Sequence, residues 1–314
     1  MKDGSLVVLS LQPQDKKGTK SHGAQDTPDE TYVLTVFDKD DTIGRPYQIA
    51  VKERVLQDLA ITEGDHGSIL CEGLFGDPGS TRMRGTVFMR FDKSTGGMEA
   101  QKFYDLPTDL LTKGMSEKAR EKVERAGDAP EFPAFEVRHV ANLGDGTSLL
   151  VAEEYYSYEV TIRGQTAGGY DKTRFNSVFH NDDLIVVKFD ADGNVIWSNK
   201  VIKTQHTTDA DSDLSGVLVH VKGNRTFLLF NDHVANLSLK PGDHYKAYIP
   251  YGPESMTTLV TIEPDGQVLR EALFGPDMLG YSFDLLRREH LPDGRLFIQA
   301  KDRSGQRFGM VTFK

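Results

Sequence analysis

Aromatic and basic side chains are concentrated between residues 153 and 180, where the sequence is typical of a recognition surface. A run of Glu-Glu-Tyr-Tyr-Ser-Tyr begins at Glu153. Side chains alternate along an extended strand, so Tyr155 faces one side while Tyr156 and Tyr158 face the other. Aromatic residues beside arginine bury a large area at low entropic cost and can stack on a sugar or a peptide. The predicted binding residues of this segment are Tyr155, Tyr156, Tyr158, Tyr170, Arg174, Phe175 and Phe179. The alternative is that these side chains cover the flank of their own sheet.

A second candidate binding site is Asn231-Asp232-His233, which follows a predicted strand. At the mouth of a channel these residues would supply ligand-binding or acid–base groups. Asx residues at the end of a strand also commonly hydrogen-bond to their own backbone, and this structural interpretation is the favoured one. Glu153 and Glu154 do not form the facing carboxylate pair of a glycosidase, because adjacent strand residues point apart.

Other patterns of metal-ligating or nucleophilic residues are incomplete. Asp209, Asp211 and Asp213 resemble the start of a calcium loop, but Leu214 and His220 stand where the turn glycine and the bidentate glutamate belong. The sequence contains no phosphate loop, no zinc-binding His-Glu-x-x-His helix and no Gly-x-Ser-x-Gly nucleophile elbow. We therefore expect no metal site, no cofactor and no catalytic set of residues.

Charge and composition exclude several classes of function. The 314 residues carry a formal net charge of −10, and the sequence pI is near 5.4. Nucleic-acid binding requires clustered lysine and arginine, so we expect no nucleic-acid partner. The single cysteine, Cys71, excludes an internal disulfide and a cysteine zinc cluster. No apolar run is long enough to span a bilayer directly.

The candidate residues would be positioned by a repeated unit of four short strands, which we name strands a to d. Turns such as Asp145-Gly146 join strands a and b, and turns such as Asp192-Gly193 join strands c and d. The clearest copy lies at residues 181–202, where two β-branched runs flank the second of these turns. About five such units predict an all-β fold of the β-propeller type. The main alternative, a stacked β-sandwich, lacks this regularity of turns.

We expect residues 1–314 to form a single β-propeller domain. Its blades are predicted at residues 3–53, 55–106, 134–203, 214–275 and 281–314. A helical insertion is predicted at residues 107–127, with one helix near 108–126. The first unit lacks strand a and the last lacks strand d, so both terminal blades are incomplete. Propellers usually close by combining the two ends in one blade, and we therefore expect further sequence before Met1.

The long connections are predicted to share one face of the propeller. In an antiparallel blade the a–b and c–d turns emerge on one side, and the b–c and d–a connections emerge on the other. The turns are short and rich in Asp and Gly, whereas the b–c connections are insertions of variable length, predicted at residues 12–30, 76–85, 156–183 and 231–256. Variable loops on a rigid scaffold commonly carry binding residues, so this loop-rich face is the predicted functional face.

Three stretches of the sequence together resemble a family of bacterial proteins. They are residues 103–119, the hairpin at 184–203 with its Phe-Asp-Ala-Asp-Gly-Asn-Val-Ile-Trp run, and Phe230-Asn231-Asp232 followed by Asn236-Leu237. These stretches are similar to propeller-like proteins of Gram-negative bacteria that are secreted or belong to the cell envelope. The resemblance implies a signal peptide and further strands before Met1, and a location in the periplasm, at the outer membrane or outside the cell. It brings no known activity and no catalytic residues.

These observations lead to two main functional hypotheses. The first is a non-catalytic binding or scaffold module of the bacterial cell envelope, which recognises a protein or an extracellular polymer through its loop-rich face. The alternative is a hydrolase or lyase that acts on an extracellular polymer at the mouth of the central channel, near Asp232 and His233. A structural subunit whose edge strand completes another chain's sheet is a third possibility. A polar pocket with a carboxylate of raised pKa would favour the enzyme.

Overall fold

Five antiparallel β-sheets form the blades of a β-propeller. A computed structural model describes residues 1, 3–13, 30–40, 43–80, 82–126, 133–165, 171–239 and 243–313. In every sheet, strands that follow one another in the chain pair with each other, as expected for propeller blades. The short strand at residues 206–208 is the exception, since it pairs with the strand at 171–189. The prediction of an all-β propeller is confirmed.

The blades follow one another along the chain. Blade 1 contains β1 (Leu6–Pro13), β2 (Glu30–Phe37) and β3 (Arg45–Ile49). Blade 2 contains β4 (Val55–Glu63), β5 (Ser68–Gly76), β6 (Gly85–Asp92) and β7 (Met98–Asp105). Blade 3 contains β8 (Phe135–Asn142), β9 (Ser148–Gln165), β10 (Asp171–Phe189), β11 (Val195–Val201) and the short β12 (His206–Thr208). Blade 4 contains β13 (Leu218–Lys222), β14 (Arg225–His233), β15 (Ser255–Ile262) and β16 (Val268–Ala272). Blade 5 contains β17 (Ser282–His290), β18 (Leu296–Lys301) and β19 (Gln306–Val311).

The first and last blades have three strands each, as the repeat pattern predicts. Within the described ranges, blade 1 starts at strand b and blade 5 stops at strand c. Every strand except β12 lies inside one of the predicted blade ranges. That the five blades form one domain stays a prediction.

Apolar clusters between neighbouring blades form the core. Alternation along β5 explains how one strand serves two interfaces: Ile69 and Cys71 face blade 1, whereas Leu70 and Leu74 face blade 3. Further clusters join blade 3 to blade 4 and blade 4 to blade 5. Among the described residues, no such cluster joins blade 5 to blade 1. The inner blades are therefore stabilised from both sides.

A buried glutamate interrupts the apolar interface between blades 2 and 3. Glu72 lies on β5 between Leu70 and Leu74, and its side chain is fully buried. Burial raises the pKa of Glu72 to about 8, against a smaller opposing effect of the Ser148 hydroxyl. The carboxyl group is therefore protonated in the folded protein at neutral pH.

Trp197, in β11 of blade 3, contacts a turn of blade 4. Its indole Nε1 donates a hydrogen bond to the carbonyl oxygen of Pro264 at 3.1 Å. The ring lies against Gly266, which has a φ of 89°, and a Cβ at this glycine would come within 2.9 Å of the indole. Both the left-handed backbone and the close ring therefore require glycine at this position.

The insertion between blades 2 and 3 contains two helices where one is predicted, α1 (Thr108–Thr112) and α2 (Glu117–Ala126). Gly114, with a φ of 83°, separates them, and a Cβ there would lie 2.4 Å from Ile202. Leu106 and Leu110 pack into the core between blades 2 and 3, so α1 is anchored to the blades. None of the described helices combines the length and apolar character needed to cross a membrane.

Blade 3 differs most from its prediction. The segment from Tyr156 to Asp183, expected as an irregular insertion, continues β9 and β10 as a two-stranded extension, with a gap in the described residues at 166–170. We name residues 155–165 and 171–181 the ribbon. Alternating Tyr156, Tyr158, Val160 and Ile162 explain the difference, because aromatic and β-branched residues with a period of two favour strands. The predicted insertion at residues 12–30 lies mostly outside the described residues.

Candidate active site in blade 3

A β-bulge at the base of the ribbon brings three carboxyl groups together. The register of β9 and β10 shifts here, so that two residues of β10, Asp182 and Asp183, oppose the single residue Glu154 of β9. The pairing of β8 with β9 ends at the same residue. Bulges redirect side chains and are common beside active sites. The three carboxyl groups thus lie where the blade ends and the ribbon begins.

Glu154 and Asp183 share a cavity in which their surroundings differ. The cavity has a volume of about 150 Å³ and is lined by Lys113, Gly114, Met115, Pro133, Phe135, Glu154, Asp183 and Lys200. Lys200 Nζ lies 2.8 Å from Asp183 Oδ2. Burial, followed by the charges of Asp183 and Asp182, raises the pKa of Glu154 to about 7. The cavity therefore combines a carboxyl group that holds its proton near neutral pH with one that pairs with a lysine.

His180, Asp182 and His206 form the other half of the site. His206 of β12 is directly opposite His180 of β10. His180 Nδ1 lies 3.7 Å from Asp182 Oδ2, and His206 Nε2 lies 3.8 Å from Asp182 Oδ1. The ring of Tyr156 stacks on the ring of His180 at 4.1 Å between centroids. Burial, followed by the charge of His206, lowers the pKa of His180, so its imidazole is neutral at neutral pH.

The opposite face of these strands carries a buried ion-pair network. Glu153 Oε1 lies 2.7 Å from Lys203 Nζ, and both side chains are fully buried. Arg138 Nε donates to Glu153 Oε2 at 2.7 Å, and Asn181 Nδ2 donates to the same oxygen at 2.9 Å. Burial opposes the ionisation of Glu153, but Lys203 and Arg138 outweigh it and hold the pKa of Glu153 below its usual range. Glu153 and Glu154 thus serve opposite faces of the strand.

The aromatic residues predicted to bind a partner do not form one surface. Tyr156 and Tyr158 lie on the ribbon face that continues from Glu154, as cross-strand partners of His180 and Val178. The register places Tyr155, Phe175 and Phe179 on the opposite face. Arg174 lies in β10, but its side chain and the whole of Tyr170 are outside the described residues.

Asn231, Asp232 and His233 contribute to the packing of blade 4. Asn231 accepts a hydrogen bond from the backbone N–H of Phe283 at 2.7 Å and donates one to its carbonyl oxygen at 2.8 Å. The expected bond of Asn231 to its own backbone is thus replaced by a link to blade 5. Asp232 is buried in an ion pair with Arg270. His233 Nδ1 accepts from the backbone N–H two residues later, at 3.1 Å. Whether any of them binds a ligand stays a prediction.

The grouping of Glu154, Asp182, Asp183 and His206 is not predicted by the sequence. One signal was present: two consecutive aspartates, preceded by Asn181, interrupt an alternating strand pattern, and such interruptions are typical of bulges. His206 could not be assigned to the group, because its contact with β10 depends on a three-residue strand added beside the ribbon.

A larger cavity of about 430 Å³ lies between blades 2 and 3 on the face that carries the short turns. Its carboxylates bond locally: Asp92 Oδ1 accepts from the Thr95 backbone N–H at 2.7 Å, and Glu99 pairs with Arg90 at 3.0 Å. Asp190 Oδ1 accepts from the backbone N–H groups of residues 192 and 194. These carboxylates stabilise turns and the rim of the cavity. The bulge of blade 3 is therefore the stronger candidate for the active site.

Comparison with known proteins finds a similar solved structure but no matching family. No protein-family model matches the chain, and no curated protein matches it. Among solved structures, the chain is similar to the GH43_1 enzyme from Xanthomonas citri complexed with xylotriose, with 10% sequence identity and a TM-score of 0.33. The match covers 83% of this chain and 71% of that enzyme. At this level of similarity, arguments about chemistry rest on the residues of this chain.

The prediction of a non-catalytic binding or scaffold module is corrected by this comparison. The solved structure that it found is that of an enzyme in complex with xylotriose, not that of a binding or scaffold protein. The residues agree with the correction, because blade 3 holds a cavity with a carboxyl group of raised pKa, the feature expected to favour an enzyme. This carboxyl group and its cavity lie in blade 3, not beside Asp232 and His233.

Proposed function

We propose that this protein is a hydrolase that cleaves an extracellular carbohydrate polymer at the carboxyl cluster of blade 3. The observation that carries the proposal is the bulge that sets Asp182 and Asp183 opposite Glu154. Glycoside hydrolysis requires one carboxylic acid to protonate the leaving oxygen and a second carboxylate to activate water or attack the sugar. The bulge supplies both groups within one cavity.

In this proposal, Glu154 is the general acid. Its pKa near 7 leaves a proton available at neutral pH, and protonation of the leaving oxygen would return the group to its carboxylate form. Asp183 is the second carboxylate. Lys200 and the backbone N–H of Lys203, which donates to Asp183 Oδ1 at 3.2 Å, hold its orientation.

The ribbon would bind the polymer beside the reacting groups. Tyr156 and Tyr158 are 43% and 49% exposed, and they lie on the same ribbon face as Glu154. Exposed aromatic rings offer flat apolar area with a polar edge, which suits the alternating apolar faces and hydroxyl groups of a sugar chain. Phe175 lies on the opposite face and is not part of this subsite.

We also propose that the protein is secreted or resides in the cell envelope of a Gram-negative bacterium, as one propeller domain. The resemblance of three sequence stretches to such proteins supports this location, and an extracellular polymer is a substrate that such a location would provide. The proposal takes the polymer, rather than a protein, as the partner.

Glu154→Gln should lower kcat for polymer hydrolysis by at least about 100-fold with little change in KM, because the amide cannot donate the proton. Reducing-end release from a panel of polysaccharides identifies the substrate and measures the rate. Glu159→Gln is the matched control, since Glu159 is exposed on the opposite ribbon face. Cleavage that persists in Glu154→Gln, or a wild-type protein that cleaves no polymer of the panel, would contradict the proposal. Unsaturated products would indicate a lyase instead.

A further inference from the structure

We propose that His180, Asp182 and His206 bind a single transition-metal ion of the first row, for which zinc is the best fit. Two of the ligands are a cross-strand pair, His180 on β10 and His206 on β12. The third, Asp182, follows two residues after His180 at the bulge. Histidine and carboxylate ligands from neighbouring strands can therefore converge on one point.

The distances between the ligand atoms are close to those that a zinc ion requires. Tetrahedral zinc with bonds of 2.0–2.1 Å holds its ligand atoms roughly 3.3 Å apart. In the protein, Asp182 oxygens lie 3.7 Å from His180 Nδ1 and 3.8 Å from His206 Nε2, and ligand atoms of all three residues lie within 4.8 Å of one another. Because the His206 side chain is 44% exposed, it can rotate to close the remaining difference.

His180 provides independent support for a ligand. The residue is only 8% exposed, yet neither of its ring nitrogens has a hydrogen-bond partner. A buried polar group without a partner is costly, and such groups commonly mark the position of an ion or ligand. Coordination through Nδ1 would supply a partner to this nitrogen.

Neighbouring groups already hold two of the ligands in place. Asp182 Oδ1 accepts a hydrogen bond from the backbone N–H of Gln205 at 3.0 Å. The Tyr156 ring, stacked at 4.1 Å with an angle of 12° between the ring planes, fixes the plane of His180. Contacts that orient metal ligands in this way are characteristic of metal sites.

The donor set identifies the class of ion. Calcium and magnesium prefer oxygen ligands, whereas two imidazoles with one carboxylate suit zinc and its neighbours in the first row. Three protein ligands also leave a coordination position for water, which is the arrangement of catalytic rather than structural zinc sites. The exposed side of His206 gives the ion access from solvent. The inference does not depend on the proposed hydrolase, since metal binding is measured without substrate.

Calorimetric titration of the chelator-stripped, untagged full chain with ZnCl₂ tests the inference. We expect one zinc ion per chain, and His206→Gln and Asp182→Asn should each weaken binding by at least about 100-fold. The matched control is His66→Gln, which removes an exposed histidine from the turn face and should bind zinc like the wild type. Cobalt(II) should give visible absorption bands with the wild type and the control only.

Thermal unfolding with and without zinc provides a second measurement. Zinc should raise the Tm of the wild type and of His66→Gln, but not that of His206→Gln or Asp182→Asn. No stoichiometric binding to the wild type, or wild-type affinity in both variants, would overturn the proposed site. Because His206 is partly exposed, its replacement leaves the core intact and the result interpretable.

Discussion

Lys203→Met should lower the free energy of unfolding by about 3 to 5 kcal/mol, because it leaves Glu153 buried without one of its two cationic partners. The Glu153 side chain is fully buried, and in the variant only Arg138 and Asn181 would remain as its partners. Lys203 also donates to Gln205 Oε1 at 2.8 Å, so its loss disturbs the neighbouring amide as well. Urea unfolding at pH 7 measures the change.

Two further variants separate the lost ion pair from a general effect of losing a lysine. Lys102→Met removes an exposed lysine from β7 and should change stability by no more than about 0.5 kcal/mol. The double variant Glu153→Gln/Lys203→Met should be more stable than Lys203→Met, since it leaves no uncompensated buried charge. Equal losses in Lys203→Met and Lys102→Met would show that the buried pair does not stabilise the fold.

As the pH rises from 5 to 8, the difference in unfolding free energy between Glu72→Gln and the wild type should shift by about 3 to 5 kcal/mol in favour of the variant. Burial raises the pKa of Glu72 to about 8 in the folded protein, from an ordinary value of 4.5 that applies when the chain is unfolded. As far as Glu72 is concerned, the wild type is therefore most stable below pH 4.5. It loses stability as the pH rises towards 8, because only the unfolded chain releases the proton over that interval.

Urea unfolding of both proteins at several pH values between 4.5 and 8.5 tests this expectation. The difference in free energy between Glu72→Gln and the wild type should increase with pH and level off above pH 8. Glu99→Gln, which removes an exposed carboxylate from the same sheet, is the matched control. If the free energies of unfolding of the wild type and Glu72→Gln change in parallel with pH, Glu72 has the same pKa in the folded and the unfolded chain, and the expectation is wrong.

The blades were predictable because each is specified by local chemistry. Asp192-Gly193 illustrates this: the glycine has a φ of 78°, and the Asp190 carboxylate accepts two backbone N–H groups of the same turn. Such turns, with alternating apolar residues on either side, determine which strands pair and which residues face the core. The same alternation correctly places the side chains of Glu153 and Glu154 on opposite faces of their strand.

The candidate site was less predictable because it depends on distant contacts. The bulge at Asp182 and Asp183 requires knowing that two residues of one strand oppose one residue of another, which the local pattern does not specify. His206 enters the site only through the short strand beside the ribbon. For Asn231, the sequence predicts a local hydrogen bond, because the residue follows a strand. In the structure its side chain instead joins blade 4 to blade 5.

Trp197 gives the protein an internal optical probe. It is the only tryptophan of the chain, and its indole joins β11 of blade 3 to a turn of blade 4. Intrinsic fluorescence excited at the indole band therefore reports separation of this one junction, whereas far-ultraviolet circular dichroism reports the strands of every blade. On heating, a change in Trp197 emission that precedes the loss of dichroism would reveal that the contact between blades 3 and 4 opens while the sheets are still intact.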